Sequence, residues 1–173
     1  MVLLYTGDGK GKTTAAMGLC LRALGWGKRI CMIQFLKSPD FVCGERNMLE
    51  KIGVELHQTG IGYSWTKTPQ EQIQSIQRAW ELTKEKLLCD AYDMIVLDEI
   101  INVFSMKTVS VKDFLTEEEL IAALEKRKKT THVVLTGRNA DKKLMAYADL
   151  VTEMKEIKHY YQKGVTAKKG LEY

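Results

Sequence analysis

The 173 residues carry a formal charge of +4, with 45% hydrophobic and 28% charged side chains, the composition of a soluble globular chain. A domain of this length buries roughly 70% of the surface its unfolded chain exposes, so it needs no disulfide or structural metal to hold it. The charge suits an anionic small molecule and is too mild to argue for nucleic acid. No apolar stretch is long enough to span a bilayer.

The chain opens in an apolar run, Val2 to Tyr5, read as a first strand. Glycine-rich sequence follows, then a helical pattern from Lys12 to Leu24 that Gly25 and Gly27 end. Arg29 to Leu36 reads as a second strand, Lys37 to Asp40 as a loop, Glu45 to Ile52 as a short helix and Val54 to His57 as a third strand. Thr59 to Thr68 is a loop with turn residues and two aromatics, and Pro69 suits the first position of a long helix running to about Leu88. Met94 to Leu97 is a buried strand that ends in Asp98 and Glu99. Thr116 and Glu119 have the spacing of a capping box, starting a helix to about Lys128. His132 to Leu135 is the next strand, with Thr136-Gly137-Arg138 as its exit; Lys142 to Tyr147 is helical and Leu150 to Met154 is a last strand. Apolar strands alternating with amphipathic helices predict an α/β domain spanning 1–173, its mostly parallel sheet covered by helices on both faces.

Cys20, Cys31, Cys43 and Cys89 contain no C-x-x-C pair and follow no secretory leader, and His57, His132 and His159 are scattered. The cysteines read as reduced thiols of a cytoplasmic protein, and no structural metal site is expected.

The chemistry concentrates between Thr6 and Thr14, T-G-D-G-K-G-K-T-T. Gly11, Lys12 and Thr13 fill the second half of the triphosphate-binding pattern G-x-x-x-x-G-K-[ST], whose first glycine falls on Thr6. Gly7 and Gly9 still allow successive amides, across Asp8 and Lys10, to point into one concavity. The loop follows a strand and opens a helix, whose positive end favours phosphate. Lys12 supplies charge to the phosphates and Thr13 a hydroxyl for Mg2+. Asp98-Glu99 ends a strand, where parallel sheets deliver groups to their ligands. Either carboxylate there can hold Mg2+ directly or through water; the alternative is an acidic first turn of a helix.

Further segments recur in a recognisable order: Q-F-L-K at 34–37, G-E-R-N-M-L-E at 44–50, G-Y-S-W at 62–65, V-L-D-E-I at 96–100, T-G-R at 136–138, A-D-L-V-T-E-M at 148–154, and I-K-H-Y-Y-Q-K-G-V-T-A-K-K-G-L-E-Y at the end. In this order they resemble the P-loop ATP:corrinoid adenosyltransferases over nearly the whole chain, and the departure at Thr6 belongs to that family's pattern. The resemblance implies a RecA-like fold working as a homodimer, with residues 155–173 a tail near the active site. The implied reaction moves the 5′-deoxyadenosyl group of ATP to the Co(I) of a reduced corrinoid and releases triphosphate. It implies Mg2+, or Mn2+, as cofactor and a reduced flavoprotein as electron donor. Tyr63 and Trp65 match the aromatic positions that displace the axial ligand of the corrinoid, although from the residues alone they also fit a pair of core aromatics tying down a loop. Arg138 could reach phosphate or a corrin side chain. Glu45 and Arg46 match a family motif but also suit an ion pair at a helix start, and Lys158 and His159 receive no role. Longer members carry an N-terminal arm before the first strand, which this chain is expected to lack. Two other readings remain at this point: a different ATPase or phosphotransferase, which would release ADP, and a binding module that forms no cobalt–carbon bond.

Overall fold

The computed structural model of the chain describes residues 1–40, 43–62 and 67–173. Six strands form its sheet: β1 (Val2–Thr6), β2 (Ile30–Gln34), β3 (Glu55–Gln58), β4 (Met94–Asp98), β5 (His132–Thr136) and β6 (Leu150–Glu153). They lie in the order β3-β2-β4-β5-β1-β6, and every pairing is parallel. Between them run α1 (Lys12–Leu24), α2 (Gly44–Leu49), α3 (Pro69–Leu88), α4 (Ile100–Phe104), α5 (Glu117–Lys126) and α6 (Lys142–Tyr147).

Strand alternation divides the core in two. Cys31, Ile33 and Phe35 at β2, with Ile95 and Leu97 of β4 and Val133 and Leu135 of β5, pack against α3, α4, α5 and α6. Their neighbours Ile30, Met32, Met94, Val96 and Val134 pack on the other face, against α1 and α2. Both faces are therefore covered, which is why these strands read as unbroken apolar runs. Each fully buried aliphatic or aromatic side chain contributes roughly 1.5–3 kcal/mol relative to exposure. Among the described residues no helix is long and apolar enough to cross a membrane.

The two capping boxes form: Thr68 with Glu71 starts α3, with Pro69 in its first turn, and Thr116 with Glu119 starts α5. Helix α4 follows the Asp98-Glu99 strand end, where a helix start was the alternative reading, although neither carboxylate lies in its first turn. It is five residues long, and its N-cap is Glu99 in a left-handed conformation, φ 64°, without a side-chain cap.

Parallel register brings the carboxyl ends of the strands level. Gln34 sits opposite Asp98, and Tyr5 opposite Thr136. Thr6, Gln34, Gln58, Asp98 and Thr136 therefore share one edge of the sheet, and the polar groups gather there.

Candidate active site

The glycine-rich loop leaves β1 at Thr6, which is buried and accepts from the Ala140 amide through its hydroxyl, 3.2 Å. The loop is shaped from outside as well as from within. The Gly9 amide donates to the Met154 carbonyl just past β6, 2.7 Å. Gly7 has φ +97°, and a Cβ there would overlap the Met154 carbonyl oxygen and lie 2.9 Å from its nitrogen. Only glycine combines that backbone with that proximity. Gly11 forms the N-cap of α1.

Lys12 curls back over the loop, its Nζ donating to the carbonyls of Gly7 (2.6 Å) and Gly9 (2.7 Å). Burial, and then the Arg138 guanidinium, lower its pKa from the ordinary value. The charge of an anion held in the loop would offset both effects. Asp8, Lys10 and Thr14 are exposed on the loop rim. Lys10 donates to Glu172 of the C-terminal tail at 2.8 Å.

Thr13 points across the cleft to β4, its hydroxyl donating to Asp98 Oδ1 at 2.9 Å. Asp98 is wholly buried. Its Oδ1 also accepts from the Thr136 hydroxyl at 2.7 Å, and its Oδ2 from Gln34 Nε2 at 3.0 Å. Gln34 is held in turn by Gln58, 2.9 Å. A buried carboxylate with three donors is a fixed anchor. Glu99 differs. Burial and the adjacent Asp98 push its carboxyl up to about 7, against Lys37, Lys12 and Arg138 acting the other way. Its amide donates to the Thr136 hydroxyl at 2.8 Å, fixing the turn that presents the side chain.

These groups line a cleft of about 980 Å³, into which Lys12, Thr13, Lys37, Glu99 and Arg138 contribute, with Glu172 on the tail side. A smaller pocket of about 390 Å³ opens beside it, lined largely by apolar groups such as Phe35, Leu36, Ile61, Ile76 and Met106. Asn102 borders both spaces. Its Oδ1 accepts from the Arg138 amide at 2.7 Å, tying α4 to the turn after β5. Tyr63 and Trp65 lie outside the described residues.

The loop, Asp98, Glu99 and Arg138 thus come together at one sheet edge. Sequence reasoning missed the holders of Asp98, Gln34 and Thr136, and missed Lys37. Glu45 and Arg46 do not pair with each other: Glu45 accepts from Lys37, while Arg46 contacts Glu50 at 3.4 Å and the Pro39 carbonyl. Gly60 serves close packing; a Cβ there would collide with the Leu36 backbone and lie 2.7 Å from the Lys37 nitrogen. Elsewhere, ligand atoms of Cys31, Glu55 and His57 lie within 4.8 Å of one another. Glu55 Oε1 there already contacts the Lys86 ammonium at 2.9 Å, so a cation holds the position a metal would need.

Residues 1–173 match the ATP:corrinoid adenosyltransferase BtuR/CobO/CobP family. The chain is 35% identical over 174 residues to the corrinoid adenosyltransferase of Escherichia coli (strain K12), covering 100% of this chain and 85% of that one. It is 36% identical over 174 residues to the corrinoid adenosyltransferase CobA of Salmonella typhimurium, with the same coverage. It is 35% identical over 179 residues to the corrinoid adenosyltransferase of a Sinorhizobium species, covering 80% of that protein.

Proposed function

Because the chain belongs to the ATP:corrinoid adenosyltransferase family and is an enzyme of that type, we propose that it transfers the 5′-deoxyadenosyl group of ATP to the Co(I) of a reduced corrinoid and releases intact triphosphate. The observation that carries the reading is the junction of two unlike spaces: a cleft built for a polyanion opens beside an apolar pocket, with Asn102 bordering both. ATP bridging them presents C5′ at the boundary, where the flat apolar face of a corrin meets it.

The step needs no protein nucleophile or base. The Co(I) electron pair forms the Co–C5′ bond, and the C5′–O pair leaves on the triphosphate. The protein positions the reactants, stabilises the leaving charge and excludes water. In this reading the loop from Thr6 to Thr14, with Gly7, Asp8, Gly9, Lys10 and Gly11, cradles the phosphates, and Arg138 caps them. Lys12 exchanges two neutral carbonyl acceptors for anionic phosphate oxygens, which bind an ammonium more strongly.

The oxygen donors Thr13 and Glu99 suit a hard divalent cation such as Mg2+ or Mn2+. Such an ion would neutralise part of the triphosphate charge. Asp98 is already committed to three donors, so its part is to orient Thr13, and Glu99 is the carboxylate left to hold the ion or its waters. Tyr63 and Trp65 take the corrin face. A RecA-like P-loop fold, a single domain over 1–173, a homodimer, a cytoplasmic setting and a reduced flavoprotein donor complete the reading, on the strength of the family resemblance.

The test is anaerobic incubation with Mg·ATP, a cobalamin and a strong reductant, following the corrinoid spectrum and the phosphate product. A light-sensitive alkylcobalamin with one intact triphosphate per turnover is expected. ADP formed without alkylcobalamin would overturn the reading in favour of an ordinary phosphotransferase.

A further inference from the structure

Lys37, at the end of Q-F-L-K, and Glu45, in G-E-R at 44–46, have no role so far, and they meet in space. Lys37 Nζ donates to Glu45 Oε1, with side chains 24% and 12% exposed. The pair is not on the outer surface; both residues line the anion cleft. Lys37 also has a defined position along it. Phe35 and Leu36, the two residues before it, line the apolar pocket, so the chain crosses from one space to the other at Lys37. Its backbone is fixed there: the Gly60 amide donates to the Lys37 carbonyl at 2.9 Å, the Thr59 amide to Gln34 at 3.1 Å, and the Ser75 hydroxyl to Thr59 at 2.6 Å.

From this placement we infer that Lys37 is a leaving-group ligand: its ammonium binds the triphosphate at the end nearest the apolar pocket, and Glu45 holds it ready. The inference rests on the adenosyl-transfer reading of the site. As the C5′–O bond breaks, its electron pair passes to the bridging oxygen, which becomes a terminal oxygen of the triphosphate. No proton moves, so this new charge is met by cations. Lys12 is anchored at the loop, by Gly7 and Gly9; Lys37 lines the same cleft directly after the pocket-lining Phe35 and Leu36. Burial opposes the Lys37 charge, but Glu45, Asp98 and Glu99 outweigh it and raise its pKa above the ordinary value. The ammonium is therefore permanently charged, and Glu45 is the acceptor an anion must outbid.

A structural ion pair and a leaving-group ligand make opposite predictions for its two halves. Binding of inorganic tripolyphosphate with Mg2+ is measured by calorimetry for the wild type, Lys37→Met, Lys37→Arg and Glu45→Gln, with a thermal melt of each. Loss of one charge-assisted bond lowers tripolyphosphate affinity about ten- to a hundredfold in Lys37→Met. Lys37→Arg recovers most of it. Glu45→Gln, which removes the competing acceptor, leaves the affinity unchanged or tighter. In turnover, Lys37→Met lowers kcat more than it raises KM for ATP, because the charge grows in the transition state. Wild-type affinity in Lys37→Met, or equal losses in Lys37→Met and Glu45→Gln, overturns the inference and leaves the adenosyl-transfer reading intact. Failure of the wild type itself to bind tripolyphosphate overturns that reading, and the inference with it.

Discussion

Gly7 permits a quantitative test of why the cradle contains glycine. In Gly7→Ala two costs are added. The backbone φ of +97° is strained for any residue with a Cβ, by about 1–2 kcal/mol. The new methyl also meets the Met154 backbone, which cannot rotate aside; overpacking of this kind costs typically about 1–3 kcal/mol. Restricting the unfolded chain returns about 0.4–1 kcal/mol. The net expectation is a loss of about 1–4.6 kcal/mol, near 3 at the middle of the ranges. Gly164→Ala is the internal control. Its φ is +75° and nothing lies within 4 Å of the added carbon, so only the backbone cost applies, leaving about 1 kcal/mol after the same unfolded-state correction. Urea denaturation of the two variants checks this difference, provided the denaturant slope is unchanged. Calorimetry with Mg·ATP adds a second readout: Gly7→Ala weakens nucleotide binding because the loop is displaced, whereas Gly164→Ala does not touch the loop. Equal losses of stability at the two positions would refute the steric argument and mean that Met154 does not press on the cradle.

Five other expectations can be checked. Thr136→Val removes a buried hydroxyl that donates to Asp98 and accepts from the Glu99 amide; leaving those groups unpaired costs about 1–3 kcal/mol, and Thr136→Ser restores it in the same denaturation assay. Lys12→Ala weakens Mg·ATP binding by calorimetry, while Trp65→Ala preserves that binding and lowers alkylcobalamin formation; normal turnover in Trp65→Ala returns that residue to a packing role. Burial pushes the Cys20 and Cys31 thiols up to about 12, so alkylation of the native protein near pH 8, read by peptide mass spectrometry, labels the partly exposed Cys89 well before either. Glu55 is held near 2, below its ordinary 4.5, first by the Tyr92 hydroxyl and then by Lys86 and His57. A lowered carboxyl stabilises the fold above the unfolded pKa and loses that effect as pH falls from about 4.5 to 2. The side chain is 41% exposed, so the contribution is about 1 kcal/mol or less, and the stability difference between wild type and Glu55→Gln should shrink across that interval.

The sequence was most informative where the signal was local. The Gly7 to Thr14 loop, the Asp98-Glu99 strand end and the two capping boxes each need only a few consecutive residues to be recognised. The partners of Asp98 are of another kind. Gln34 lies 64 residues before it and Thr136 lies 38 residues after it; no spacing rule joins them until parallel register sets β2, β4 and β5 side by side. Helix α4 was legible only as the alternative reading of Asp98-Glu99. Its N-cap is the left-handed Glu99, so no capping residue marked its start, and its five residues are too few to show a period.

The glycines show how one residue type conceals several functions. Gly7 and Gly9 were read from the sequence for their part in a phosphate loop, yet the atoms nearest to them belong to Met154 and Lys155, about 150 positions away in sequence. Gly60 is one of the turn residues of the loop from Thr59, and its environment is the tightly packed Leu36–Lys37 backbone. The same contact that forbids a side chain at Gly60 fixes Lys37 between the apolar pocket and the anion cleft. Precision at the reacting end of the site thus depends on backbone-to-backbone packing between the turns after β2 and β3, which neither composition nor periodicity records. A substitution at Gly60 should therefore disturb leaving-group binding without altering any charged residue, whereas a change at an open position such as Gly53, with nothing within 4 Å, should leave it untouched.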